Sequence, residues 1–132
     1  MRKDIEIPKA EGVRLLAVQE FHEELGEMVW NIYLYNAGSR VMDTVMVVLR
    51  GSSEDRETSV MRKSLSRLEP GSYARLEILR EELLAFKNEY LITYFDQEKM
   101  FEKNFTLAPG TIKEDRIKPI EEAGLSGIVF DS

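Results

Sequence analysis

The chain contains no cysteine and only one histidine, His22. The first absence excludes a disulfide framework, thiolate nucleophiles and cysteine-ligated metals. The second leaves almost nothing from which to build a Ser–His–Asp or similar catalytic unit. No Gly-x-x-x-x-Gly-Lys-Ser/Thr or Gly-x-Gly-x-x-Gly run is present to cradle a phosphate, and no Gly-x-Ser-x-Gly elbow to present a serine. No stretch approaches the ~18–20 apolar residues of a membrane helix. The leader Met1-Arg2-Lys3-Asp4-Ile5-Glu6-Ile7-Pro8 lacks the apolar centre of a signal peptide, so a cytoplasmic location is expected.

Positive charge is also in short supply. Eighteen Lys and Arg face 24 Asp and Glu, for a net charge of −6, which repels phosphate backbones and anionic lipid surfaces. The densest basic stretch, Arg56, Arg62, Lys63 and Arg67, is diluted by Glu54, Asp55 and Glu57. Neither nucleic acid nor membrane is therefore an expected partner.

What the chain has in abundance is strand grammar. Trp30-Asn31-Ile32-Tyr33-Leu34-Tyr35 and Thr44-Val45-Met46-Val47-Val48-Leu49 are rich in aromatic and β-branched side chains and flank the turn residues Asn36-Ala37-Gly38-Ser39. Similar runs cover 13–21, 29–35, 44–50, 58–65, 73–80, 88–95 and 100–107, separated by Gly26, Gly51-Ser52-Ser53, Pro70-Gly71 and Asp96–Lys99. Residues 81–87 suit one short helical turn. Charges interleaved at Arg62 and Lys63 predict an edge strand, and Lys103, in phase with Phe101 and Phe105, predicts an edge or a bulge. About seven short strands with regular turns predict an all-β antiparallel sandwich. At 132 residues the length is that of one domain. A sandwich is expected over 1–110, with a polar leader at 1–12, and a tail at 111–132 whose end, Gly127-Ile128-Val129-Phe130, suits an added strand.

The middle strands are apolar on both faces. Trp30, Ile32 and Leu34 oppose Val29, Tyr33 and Tyr35; Val45, Val47 and Leu49 oppose Met46 and Val48; Tyr90, Ile92 and Tyr94 oppose Leu91 and Phe95. A sheet with one wet face should alternate with polar residues instead, so part of an outer face is expected to be covered. The tail offers Ile117, Ile120, Leu125, Ile128, Val129 and Phe130 for this. The alternative is a protein partner or a second copy docking on an interaction face formed by Tyr33, Tyr35, Met46 and Tyr94.

Two signatures carry a family resemblance. Leu84-Ala85-Phe86-Lys87-Asn88-Glu89-Tyr90 resembles the corner that leads into the sixth strand of fibronectin type III domains, which implies a Tyr90 hydroxyl bonded to backbone across the turn. The order Asn36-Ala37-Gly38-Ser39, Val-rich strand, Leu68-Glu69-Pro70-Gly71-Ser72 resembles bacterial immunoglobulin-like modules of the CARDB kind, which implies a buried aromatic at Trp30. The segments 2–9 and 58–62 also resemble short uncharacterised bacterial proteins, some of which carry a phenylalanyl-tRNA synthetase label. Synthetase chemistry needs ATP-binding motifs, and Arg67-Leu68-Glu69 is an isolated Arg-x-Glu.

His22 lies among Glu20, Glu23, Glu24 and Glu27. A His–Glu acid/base pair or a metal site there is weighed against a solvated acidic loop; the spacing fits neither a zinc nor a calcium ligand set, so the loop reading is preferred. The expectation is a non-enzymatic protein-interaction module needing no cofactor or metal, whose partner is an unknown protein or a second copy. Carbohydrate or small-ligand binding on an aromatic sheet face is the alternative, and catalysis by acids near His22 a third.

Overall fold

The computed structural model describes residues 10–58 and 60–131. Nine strands follow in order: β1 (Val13–His22), β2 (Glu27–Asn36), β3 (Met42–Ser52), β4 (Met61–Leu68), β5 (Tyr73–Leu79), β6 (Lys87–Asp96), β7 (Lys99–Leu107), β8 (Lys118–Ile120) and β9 (Leu125–Phe130). Short 3₁₀ turns occupy Glu81–Ala85, where a helical turn is expected, and Glu114–Arg116 and Glu121–Ala123. Among the described residues there is no α-helix. The strands form two antiparallel sheets, β5-β2-β1-β9-β8 and β4-β3-β6-β7.

Period-two alternation decides what goes between the sheets. Leu15 and Ala17 of β1 stand opposite Leu34 and Ile32 of β2, and all four are fully buried. From the other sheet come Val45, Val47, Leu49, Tyr90, Ile92 and Phe105, with Trp30 closing one end of the same cluster. Trp30 is thus buried as its position suggests.

The tail explains why nine strands form where about seven are expected. β9 pairs antiparallel with β1, Leu16 opposite Val129 and Ala17 opposite Ile128, and β8 pairs with β9. Ile112 and Ile128 enter the main core. Ile120, with Ala123 and Leu125 beside it, packs on Leu16, Val18 and Tyr35 in a second cluster. The tail therefore both extends the five-stranded sheet and covers part of its outer face; Val129 alone of the expected covering residues stays largely exposed. Close approach here requires Gly127, where a Cβ would sit 2.6 Å from the carbonyl oxygen of Ala17.

Two other expectations change. β4 begins at Met61 rather than Thr58. Period two in 73–80 predicts Ala74, Leu76 and Ile78 on one side and Tyr73, Arg75 and Glu77 on the other, but a register shift between Ile32 and Tyr33, which pair with Glu77 and Arg75, breaks that alternation. The extra residue puts both Leu76 and Glu77 on the inner side. Glu77 there receives the Tyr90 hydroxyl at 2.5 Å across the sandwich. The corner tyrosine thus donates to a carboxylate of the opposite sheet and not to backbone across its own turn.

Candidate functional site

The four residues expected to share an interaction face lie in three places. Tyr33 and Tyr35 lie on the outer side of the five-stranded sheet, Tyr35 almost wholly buried beneath the tail. Met46 is 51% exposed on the outer side of the other sheet. Tyr94 belongs to the inter-sheet core, because its phase follows Tyr90 and Ile92. The expected single face does not exist, since alternation sends Tyr94 inward and the two tyrosines of β2 belong to the opposite sheet.

Tyr94 lines a cleft of about 360 Å³ at one end of the sandwich, with Phe101, Met42, Arg40 and Asp96. Its ring stacks on Phe101 at 5.6 Å, and burial raises its hydroxyl pKa, with the Asp96 charge adding to the effect. Arg40 forks onto Asp96 at 2.5 and 3.0 Å. The hydrogen bonds from Arg40 are the main reason the Asp96 carboxyl lies below its ordinary range. Arg40 and Asp96 satisfy each other, and Glu11 is the other charged residue on the wall of the cleft.

On the outer side of the four-stranded sheet the ladder aligns side chains in rows. Arg62 of β4 stands beside Val48, Leu91 and then Asn104 of β7; Ser64 stands beside Met46, Thr93 and Glu102; Arg67 stands beside Asp43, Phe95 and Met100. Met46, Phe95 and Met100 are exposed, and Val48 and Leu91 half-buried. No described segment packs across this stripe. Its β4 flank is basic and its β7 flank carries Glu102.

The outer side of the five-stranded sheet is polar beyond the reach of the tail. Tyr33 stacks edge-on with Tyr73 at 5.0 Å, and its hydroxyl donates to Glu20 Oε1 at 2.9 Å. Burial and then that hydrogen bond push its pKa up to about 12. The Asn31 amide nitrogen donates to the same oxygen at 2.5 Å. Asn31 Oδ1 is buried without a hydrogen-bond partner among the described residues. The one sign of this group in the sequence is Asn31, an amide within the otherwise apolar run Val29–Tyr35.

His22 accepts a hydrogen bond at Nδ1 from the Leu25 amide at 3.1 Å, closing its own turn. Glu27 pairs instead with Arg80 at 2.9 Å. Among the described residues no group of three or more His, Asp or Glu is placed to hold a metal ion, and no helix is long and apolar enough to cross a membrane. The basic stretch disperses: Arg56 lies over the Phe86 ring and Arg67 pairs with Glu69. No family model, no curated protein and no solved structure matches this chain.

Proposed function

We propose that the protein is a non-enzymatic, immunoglobulin-like interaction module that docks a second copy of itself on the outer face of its four-stranded sheet. The exposed stripe of Met46, Phe95 and Met100 carries this reading, since contiguous apolar surface at a strand-rich face marks a contact site. The immunoglobulin-like class is supported by strand order: β1, β2 and β5 share one sheet while β3, β4, β6 and β7 share the other. A second copy is the fitting occupant because the flanks are of opposite sign. Under a two-fold axis parallel to the strands, Arg62 and Arg67 of one copy come over the Glu102 flank of the other. The face spans only about 19 Å across four strands at ~4.8 Å spacing, which limits the area it can bury, so the dimer is weak and concentration-dependent.

Sedimentation velocity over a wide concentration range tests this. The native chain is expected to pass from monomer to dimer, and Met46→Glu with Phe95→Glu to raise the dissociation constant at least tenfold, a change of about 1.4 kcal/mol. A native chain that stays monomeric throughout would overturn the proposal.

A further inference from the structure

The outer face of the four-stranded sheet carries a chemical feature that its apolar character alone does not require. Two of the three exposed residues of the stripe are methionines, and the register places both beside the third. Met100 stands directly opposite Phe95. Met46 stands opposite Thr93, two residues before Phe95 on β6, and so lies on its diagonal. Phe95 is thus flanked by two thioethers, a pairing in which sulfur and ring attract. Valine and isoleucine suit a strand better than methionine does, and Met46 interrupts a run of valines at 45, 47 and 48. What methionine adds at these places is an oxidisable sulfur.

The chain has no cysteine, so reversible sulfur oxidation falls to its methionines. These are unequally placed. Met42 is buried in the core. Met28 is exposed on β2, in the other sheet. Met61 is exposed at the start of β4, but in the inward phase opposite Leu49. Among the described residues only Met46 and Met100 belong to the stripe.

Taking the dimer described above as its basis, we propose that Met46 and Met100 are modification sites at which a hydroperoxide switches self-association off. The thioether sulfur attacks one oxygen of hydrogen peroxide, and the S–O bond forms as the O–O bond breaks. The departing hydroxide takes the proton from the new S–O–H group and leaves as water. Sulfur loses two electrons and the peroxide gains them. The sulfoxide is a polar acceptor, and it must shed its water whenever two copies meet. A two-fold axis repeats each site, so one oxidised sulfur per chain enters the contact twice. Both sulfurs are accessible in the monomer of a weak dimer, and oxidation there holds the chain as a monomer. Reduction of the sulfoxide reverses the switch.

Sedimentation velocity of the full-length chain before and after limited hydrogen peroxide treatment tests this, with oxidised sites read by peptide mass spectrometry. The untreated chain reports the dimer itself; the ratio of the two dissociation constants reports the oxidation. Sulfoxide at Met46 and Met100 should raise the constant at least fivefold with the circular dichroism spectrum unchanged, and a methionine sulfoxide reductase should restore it. Met28→Leu/Met61→Leu removes the exposed methionines outside the stripe and should respond to peroxide as the native chain does. Because the dimer shields its own sulfurs, oxidation of Met46 and Met100 should slow as protein concentration rises, while that of Met28 keeps its rate. A dimer whose constant changes by less than fivefold once both sulfurs are oxidised would overturn the proposal and leave the dimer standing. So would a lost response in Met28→Leu/Met61→Leu, or a dimer lost only together with the folded spectrum. A chain already monomeric before treatment would overturn both readings.

Discussion

At the scale of single residues, the most informative position is Glu77. An edge-strand bulge turns it inward, and burial raises its pKa, only partly opposed by the hydrogen bond from Tyr90. Its partner responds in the same sense: burial, then the Glu77 charge, drives the Tyr90 hydroxyl far above its ordinary value. A carboxyl whose pKa is raised on folding contributes stability that is fully present below its unfolded value and lost as pH rises through the folded one. Glu77→Gln keeps an oxygen for Tyr90 and removes the titration. Denaturant unfolding from pH 8 down to pH 4.5 should show the native chain gaining stability relative to the variant as pH falls, with the variant the more stable at neutral pH. Glu27 and Asp96, whose pKa values are lowered by Arg80 and Arg40, slope the other way, but equally in both proteins. Parallel pH profiles would show that Glu77 does not titrate in this range.

At the scale of elements, each of the four outermost strands carries a device that discourages pairing with another chain. Lys63 on β4 stands opposite the buried Val47, Lys103 on β7 opposite Ile92, and Glu77 on β5 opposite Ile32. β8 is three residues long and includes Pro119. The charges at Lys63 and Lys103 made both edges legible in the sequence, because period two shows directly when a charge falls in the apolar phase. Glu77 was not legible: a bulge adds one residue and inverts the phase after it, and nothing in Tyr73–Leu79 marks where the insertion falls. The β6–β7 turn was legible as a short connection, yet its positive φ at Gln97 and Glu98 belongs to residues that rarely adopt it.

The tail was legible as an amphipathic cover but not as two strands, since β8 is short and its pairing depends on β9 reaching β1 first. Its contribution can be measured at Ile120, the buried contact between the tail and the second cluster. Ile120→Ala should destabilise by about 2 kcal/mol, the low end for a buried isoleucine because the cluster is small. Equilibrium denaturation reads this directly, with increased binding of a hydrophobic dye as Leu16, Val18 and Tyr35 open. A loss within about 0.5 kcal/mol, the size of an ordinary surface substitution, would mean that the tail rests on the sheet without holding it.

At the scale of the whole molecule, the two sheets divide their tasks. One outer face is closed in part by the chain's own tail and elsewhere satisfied by polar contacts; the other leaves an apolar stripe between flanks of opposite sign. With strand addition discouraged at the edges, face-to-face stacking is the mode of association left open. The sequence disclosed the surplus apolar surface but assigned it to one face, because alternation alone does not say which strands share a sheet. Strand order resolves this, and it also sets the charge pattern: β4 and β7 are adjacent to nothing in sequence that would place Arg62 across from Glu102, and only the order β4-β3-β6-β7 puts them on opposite flanks. If that pattern orients the dimer, Arg62→Glu alone and Glu102→Arg alone should each weaken association several-fold, as about 0.5–1 kcal/mol per exposed charge pair implies. The double variant Arg62→Glu/Glu102→Arg should recover most of the loss, because the two-fold restores both pairs with their signs exchanged. Additive losses in the double variant, read by the same sedimentation experiment, would show that the flanks do not meet and that the axis lies across the strands instead.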